Sequence, residues 1–360
     1  MVRGTFACLA LVLLFVVTQA LDSRKDPAEP LLLIARLKTL SVSDIEALGN
    51  NSKIIPPTMG GINLTHPSPF YGVTMYQLLY AIDEEIVSTP FASGLLMVPE
   101  STDGQALPLL VYSHYTETNR AEVPSFLNSD STALAIYFGS QGYVVVAPDY
   151  LGLGDSPGFH PYFLAEGLQT AATGMLRASV QALDQLEVST NGQLFITGYS
   201  EGGNTNLILH RHLELNLASE FKVTASASMA GPYDLPFSVK RVIKVPSNVD
   251  PRISSAELAL LIISFQRVFG GIYTDPVQIF NPAIAPIAES AFDGLHTPQE
   301  VLGIFNGPPL QVLQPSFVAD IYNNPNNRFL ALLKINNAYN WTDWIPQAPL
   351  RFYQGGADTE

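Results

Sequence analysis

The feature that most constrains the fold of this chain is an alternation of short apolar runs with helical segments. Four apolar runs have the composition of strands that are buried on both faces, as in a parallel sheet: Leu107 to Ser113, Tyr143 to Ala147, Leu194 to Gly198 and Val223 to Met229. Helical patterns over Phe163 to Leu186 and Gly203 to Leu215 separate the last three runs. Because parallel neighbours need a crossover connection, this order predicts a mostly parallel, doubly wound α/β fold.

Strand-like segments also lie on both sides of this alternation. Met75 to Ile82 and Ala92 to Pro99 are predicted as antiparallel strands at the edge of the sheet, and Leu350 to Gln354 as a later strand. The residues before this last strand, 236–346, have a helical character broken by Asn-Pro and Pro-Pro pairs. We therefore predict a core that is formed by residues 21–235 and 347–360, with 236–346 inserted as a helical cap after the fourth buried strand.

Two signals mark helices inside the predicted cap. Ser254 and Glu257 have the spacing of a capping box before an apolar stretch that ends at Gly270, and Thr297 and Glu300 have the same spacing. The apolar stretch is hydrophobic on nearly all sides and includes Leu258, Leu260, Leu261, Ile262, Ile263 and Phe265. Such a helix is either buried in a core or lines a pocket for an acyl chain.

The first twenty residues have the pattern of a secretory signal peptide. Arg3 precedes an apolar run from Phe6 to Val17, and a small-x-small site ends at Ala20. Since the apolar run is too short to span a membrane, we expect cleavage and secretion, with an uncleaved anchor as the alternative. The single cysteine, Cys8, lies in this leader, so we expect no disulfide in the mature chain.

The charge balance excludes some partners. The sequence has 32 acidic and 18 basic residues, and its net charge is −14. This acidity argues against nucleic acid or an anionic membrane surface as a partner.

The sequence Gly198-Tyr199-Ser200-Glu201-Gly202-Gly203 follows the third buried strand and precedes a helix. This is a G-x-S-x-G motif in strand–turn–helix context, where the turn is so tight that the flanking positions must be glycine. The motif predicts Ser200 as a nucleophile at the carboxyl edge of the sheet, and the backbone N–H of Glu201 as one oxyanion donor. A plain strand–helix turn is the alternative.

A serine nucleophile needs a base and an acid that orients the base. Asp358 directly follows the strand after the insertion, so we predict it as the acid, with a solvated terminal aspartate as the alternative. The backbone N–H of Thr116, after the first buried strand, is the predicted second oxyanion donor.

The glycine-rich stretch at residues 148–156 lacks the phosphate-binding motifs, so Asp149 is interpreted as a residue that fixes a turn.

Five blocks of the sequence together carry a family resemblance: GYSEGG, VVVAPDYLGLGDSPGFHPY, AGPYDL, FDGLHT and YNWTDWIPQAPLRFYQGGAD. They resemble the secretory lipase and esterase branch of the α/β-hydrolase superfamily, close to the lipase A type with its large helical cap. The resemblance extends from about residue 70 to the end of the sequence. It implies hydrolysis of carboxylic esters with Ser200 as nucleophile and Asp358 as triad acid, and no cofactor or metal. The implied partners are small-molecule or lipid esters, with a lipid–water interface reached through the cap as a further alternative.

The sequence departs from this family in two places. Many relatives have glycine where this chain has Tyr115, beside Thr116, and a tyrosine narrows the approach of a substrate carbonyl to the backbone. The resemblance also implies a catalytic histidine after one further strand, at a position beyond Glu360. We therefore expect an incomplete form that lacks the last strand, the last helix and the histidine base.

The histidines that are present are His66, His114, His160, His210, His212 and His296. His114 and His160 lie on loops at the rim of the predicted active site, which we call rim loops. They are the candidates for a substitute base, and structural roles are the alternative. Two competing functions remain open. One is a peptidase that uses Glu201 to anchor a peptide N-terminus, and the other is a non-catalytic binding protein.

Overall fold

The structure is a computed structural model that describes residues 29–50, 68–82, 89–100, 102–127, 130–245, 250–338 and 341–355. The predicted signal peptide, His66 and Asp358 lie outside the described residues, and their assignments remain predictions. In the described part of the chain, no helix is long and apolar enough to cross a membrane.

The described residues form one sheet of eight strands in the order β1-β2-β3-β5-β4-β6-β7-β8. The strands are β1 Leu31–Leu40, β2 Val73–Ala81, β3 Phe91–Pro99, β4 Leu107–Ser113, β5 Val144–Pro148, β6 Thr190–Tyr199, β7 Val223–Met229 and β8 Leu350–Tyr353. Neighbours from β1 to β5 pair antiparallel, and the strands from β5 through β4, β6 and β7 to β8 pair parallel. The predicted mostly parallel sheet is therefore confirmed.

Helices cover both faces of the sheet. They are α1 Val42–Asn50, α2 Asp130–Ser140, α3 Ala165–Gln185 and α4 Glu201–Asn216. Met175 of α3 and Leu209 of α4 belong to the larger hydrophobic cluster of the sheet, whereas Ile45 of α1 and Ala135 of α2 belong to the cluster on its other face. Helices on both faces bury β3 and β5 along their whole lengths, which is why β5 reads as a continuous apolar run.

One strand was not predicted, and it corrects the prediction for its neighbours. β1 is the outermost strand and pairs with β2, so neither β2 nor β3 lies at the edge of the sheet. β1 has register shifts between Leu31 and Leu33 and between Arg36 and Lys38. Because such irregularities break the two-residue alternation of a strand, the sequence gives no clear strand signal there.

Among the described residues, six α-helices lie between β7 and β8. They are α5 Leu235–Lys244, α6 Pro251–Phe269, α7 Pro298–Ile304, α8 Pro309–Val312, α9 Pro315–Asn323 and α10 Arg328–Ile335. They share a hydrophobic cluster of their own, which Tyr162 and Phe163 of the core also join. We call these helices and their connections the cap. The six apolar side chains predicted for its longest helix are all buried on α6, at most 6% exposed.

The capping predictions for the cap have mixed outcomes. At α7 the Thr297 side chain accepts from the Glu300 N–H and the Glu300 side chain bonds back to the Thr297 backbone, so this capping box is confirmed. The Ser254 prediction is wrong, because α6 begins about one turn earlier, at Pro251, with Asp250 as its N-cap. An aspartate N-cap followed by proline is the stronger start signal.

Candidate active site

Ser200 occupies a strained turn between β6 and α4. Its backbone has φ 57° and ψ −118°, a conformation that costs free energy for any residue other than glycine. Its N–H donates to the carbonyl of Met229 at 2.9 Å, and its carbonyl accepts from the N–H of Gly203 at 2.9 Å. The Ser200 side chain makes no hydrogen bond to the first turn of α4. The strained turn therefore presents a hydroxyl that has no capping role.

The glycines beside Ser200 are required by close packing. A Cβ on Gly198 would overlap the backbone of Gly202, and a Cβ on Gly202 would overlap the carbonyl of Ser113. The start of α4 therefore lies directly against the end of β4. This contact brings the loop that follows Ser113, including Thr116, to the same edge of the sheet as Ser200.

Glu201, the first residue of α4, has a buried side chain with one hydrogen-bond partner in the described part of the chain. It is 0% exposed, and its Oε1 lies 2.7 Å from Nε2 of His160. His160 Nδ1 lies 3.1 Å from the carbonyl oxygen of Leu151 and must carry a hydrogen, because a carbonyl oxygen only accepts. Glu201 Oε2 has no hydrogen-bond partner among the described residues. Sequence reasoning missed this pair, because its members lie 41 residues apart in two separate motifs.

Thr116, the other predicted oxyanion donor, is held by a tyrosine. Its Oγ1 lies 2.7 Å from the hydroxyl of Tyr162, which is 2% exposed. Tyr162 follows His160 by two residues, so the side chains of both predicted donors contact the same short segment. Only the tertiary structure reveals this convergence.

Three buried histidines have both ring nitrogens within hydrogen-bond distance of a protein oxygen. His114 places Nδ1 2.7 Å from the carbonyl oxygen of Tyr115 and Nε2 3.2 Å from that of Asp149. His210 bonds Ser226 Oγ through Nδ1 and Glu214 Oε1 through Nε2. Burial lowers the pKa of His114 and that of His210, although nearby carboxylates oppose this effect. With His160 engaged as described above, neither rim histidine presents a free nitrogen to Ser200, which argues against the substitute-base alternative.

His212 and His296 lie away from this turn. His212 lies on α4, twelve residues along the chain from Ser200, and its Nδ1 is 3.2 Å from Asn216 Nδ2. His296 lies in the cap, with its Nδ1 2.9 Å from Asp293 Oδ1.

Asp149 fixes the rim loop, as the sequence predicted. Its carboxylate accepts from Ser93 Oγ at 2.6 Å, from Ser125 Oγ at 2.5 Å and from the Ser125 N–H at 3.0 Å. Burial raises the pKa of Asp149 to about 6, although these hydrogen bonds oppose the shift. The carboxylate therefore joins β3 and the segment at Ser125 to the end of β5. Within the described ranges, no group of His, Cys, Asp and Glu side chains could hold a metal ion.

The strand that follows the cap ends at the same edge as Ser200. β8 pairs parallel with β7, and the Ala230 N–H donates to the Tyr353 carbonyl at 2.8 Å. Because parallel strands end at one edge, the chain leaves Tyr353 beside the turn of Ser200. Asp358 follows five residues later, outside the described residues.

Two solved structures with the same architecture are a putative hydrolase and an esterase. The putative hydrolase, from Legionella pneumophila, has a TM-score of 0.79 and 29% sequence identity, over 91% of this chain and 83% of that one. The rice cell wall degrading esterase LipA from Xanthomonas oryzae has a TM-score of 0.77 and 27% identity, over 92% of this chain and 83% of that one. The chain has the fold of the lipase and esterase branch of the α/β-hydrolases.

A more distant structure agrees with this fold. Candida antarctica lipase A in its closed state has a TM-score of 0.58 and 12% identity, over 92% of this chain and 73% of that one, a likeness of fold alone. No family model and no curated protein matches the sequence. The predicted α/β-hydrolase fold class is confirmed, and the likeness to the first two structures supports a hydrolase.

Within this α/β-hydrolase fold, a narrow cleft lies between the rim loops and the cap. Its walls are formed by Glu117, Thr118, Gly152, Leu153, Gly158, Phe159, His160, Leu260, Phe292 and Gly294. Arg120 closes one side, because its N–H donates to the Gly294 carbonyl at 2.9 Å and its guanidinium to the Gly158 carbonyl at 3.0 Å. Leu260 of α6 therefore contributes to the cleft as well as to the core of the cap.

Proposed function

We propose that this chain is a secreted serine hydrolase that cleaves carboxylic esters of small molecules or lipids through an acyl-enzyme. The observation that carries the proposal is the turn of Ser200. Ser200 has a strained backbone with φ of 57°, and its hydroxyl makes no capping hydrogen bond to α4. Close packing also requires the two glycines beside it. A nucleophile at a sheet edge needs these features. The start of α4 adds backbone N–H groups and a favourable dipole for developing negative charge.

In the first half-reaction, Ser200 Oγ attacks the ester carbonyl carbon. A C–O bond forms, the carbonyl π pair moves onto oxygen, and the hydroxyl proton passes to the base. The N–H groups of Glu201 and Thr116 donate to the resulting oxyanion. When the carbonyl re-forms, the bond to the alcohol oxygen breaks, and that oxygen takes the proton from the base. Water then repeats the sequence on the acyl-enzyme, which releases the carboxylic acid and restores Ser200.

The proposed base is the histidine that the family resemblance implies after one further strand, and Asp358 orients it. The engagement of both ring nitrogens in His114, His160 and His210 supports this choice. The base matters greatly, since loss of a triad member in well-studied serine hydrolases costs on the order of 10⁴–10⁶ in kcat.

The peptidase alternative gains no support from the site. A carboxylate that anchors a peptide amine must face the substrate. Glu201 is instead 0% exposed and bonds His160.

The proposal is tested by labelling with a fluorophosphonate probe and by hydrolysis of p-nitrophenyl esters. We expect label on the wild-type protein that contains the proposed histidine base and none on its Ser200→Ala variant, whereas Ser290→Ala, which removes an exposed cap hydroxyl, is labelled like the wild type. Label on Ser200→Ala would overturn the assignment of the nucleophile.

Two further results would contradict the proposed activity or its base. Faster cleavage of aminoacyl amides than of acyl esters would favour the peptidase. Rapid labelling that is lost in His160→Gln or in His114→Gln would show that one of these residues is the base.

A further inference from the structure

The two proposed oxyanion donors lie on different loops, yet their side chains hydrogen-bond to one segment. Glu201 bonds His160 and Thr116 bonds Tyr162, each at 2.7 Å. Pro161 lies between these two partners. We call these three residues, His160, Pro161 and Tyr162, the HPY segment.

His160, the first residue of the HPY segment, is held by contacts with Leu151 and Tyr150. Its Nδ1 donates to the Leu151 carbonyl at 3.1 Å. Its ring lies parallel to that of Tyr150, with centroids 5.7 Å apart and an interplanar angle of 9°. Tyr150 in turn donates to the carbonyl of His114 at 2.8 Å, which lies in the loop of Thr116. The partner of Glu201 is therefore held against the loop that carries the second donor.

The tyrosine end is held by the cap. The Tyr162 ring packs against Phe163 with centroids 4.3 Å apart, and both belong to the hydrophobic cluster of the cap. The Ser264 hydroxyl of α6 also donates to the His160 carbonyl at 3.5 Å. These contacts with the cap hold the HPY segment in place, and the segment in turn contacts the side chains of both donors.

Oxyanion donors act through their direction, and small displacements are costly. Glu201 is the first residue of α4, so its N–H has no acceptor within the helix. Its carboxylate bond to His160 is the side-chain contact that ties this peptide to the rim. A misplacement of about 1 Å can cost on the order of 10²-fold in rate.

We propose that the HPY segment positions the two oxyanion donors relative to each other. This inference rests on the proposed function, because it assumes that Glu201 and Thr116 serve as donors. His160 and Tyr162 are positioning residues, since they act through the side chains of the donors and need no contact with the substrate.

The tyrosine contact is tested with Tyr162→Phe, which removes the hydroxyl and keeps the ring. Tyr273→Phe is the matched control, because Tyr273 is also buried in the cap cluster and its hydroxyl donates to Glu289 Oε1 at 2.7 Å. We expect the maximal rate constant of fluorophosphonate labelling to fall about 10-fold in Tyr162→Phe with unchanged affinity for the probe. This is less than the roughly 10²-fold or greater cost of deleting a donor. The control is expected to label like the wild type.

The glutamate contact is tested by a conservative rescue. In Glu201→Gln the amide can donate to His160 Nε2, so labelling is expected within about 3-fold of the wild type. In Glu201→Leu the contact is lost, and a fall of about 10-fold is expected. Equal labelling by the Gln and Leu variants would overturn the positioning role of His160.

Amide hydrogen exchange separates failure of this inference from failure of the proposed function. Exchange in residues 114–117 is expected to rise in Tyr162→Phe and to stay unchanged in Tyr273→Phe. If the wild type is not labelled, the proposed function fails, and exchange still decides whether the HPY segment orders this loop. If the wild type is labelled and the two tyrosine variants agree in labelling and exchange, the positioning role is wrong and the proposed function stands.

Discussion

The two ends of helix α4 each carry a glutamate paired with a buried histidine, but the two pairs differ in how completely they are satisfied. Glu214, near the end of the helix, accepts from His210 at 2.9 Å, Trp344 at 2.7 Å, the Gln347 N–H at 3.0 Å and the Ala348 N–H at 2.8 Å. Glu201, at the start, has His160 as its partner, and its second oxygen has none among the described residues.

This difference separates Glu214, which anchors a chain segment, from Glu201, which lies at the candidate site. Burial alone would raise the pKa of Glu214, but its hydrogen bonds lower the pKa below the ordinary value for a glutamate. The saturated carboxylate fixes the segment that leads into β8. An under-satisfied buried carboxylate is costly, and such groups concentrate where function requires them. The comparison teaches that one helix serves stability at its end and, as we propose, chemistry at its start.

The largest effect is expected from removing the anchor. Glu214→Ala leaves Trp344 and two backbone N–H groups without their acceptor, which should lower the free energy of unfolding by about 3 kcal/mol. Urea unfolding monitored by tryptophan fluorescence measures this. A decrease in the free energy of unfolding below about 1 kcal/mol would show that Glu214 does not hold the segment that leads into β8.

The next largest effect is expected at the start of the helix, where the labelling rate should change and the stability should not. Replacing both Glu201 and His160 by leucine removes a buried pair together, which is often neutral for stability. We expect a change in unfolding free energy within about 1 kcal/mol, together with a fall of about 10-fold in the labelling rate. A large loss of stability with unchanged labelling per folded molecule would make this pair an anchor like Glu214, and the distinction would disappear.

The smallest effect is a pH dependence at the anchor. Burial lowers the pKa of His210 in the folded protein, with Glu214 opposing, so the unfolded chain binds this proton more readily. The free energy of unfolding should therefore fall as the pH drops below about 6.5, the ordinary value for histidine. Glu214 has a lowered pKa and acts in the same direction below about 4.3.

His210→Gln tests this assignment. Urea unfolding at several pH values should show a shallower loss of stability between about pH 6.5 and 5 than in the wild type. An unchanged slope would assign the titration to another group.

Much of the fold could be predicted from local pattern. β4 and β7 have the predicted bounds, and α3 and α4 lie where the helical patterns placed them, because buried parallel strands and their crossover helices have distinct periods. β1 was missed because its register shifts disguise the strand period. The start of α6 was misplaced because the Asp250-Pro251 signal is stronger than the one at Ser254.

The candidate site was predictable only in part. The motif around Ser200 is contiguous, so the strained turn and its required glycines follow from sequence. The contacts of Glu201 and Thr116 with the HPY segment join residues 41 and 46 positions apart. No periodicity or spacing rule connects such positions.

The sequence by itself determined the alternation of strands and helices from β4 to β7, the helical segment before β8, and the turn of Ser200, because these depend on neighbouring residues. Only the tertiary structure decided that Glu201 is buried against His160, that both nitrogens of His114 are engaged, and that Glu214 anchors the return to β8. The physical reason is that burial and hydrogen-bond partnership are set by chain segments that meet only when the sheet, its helices and the cap have packed together.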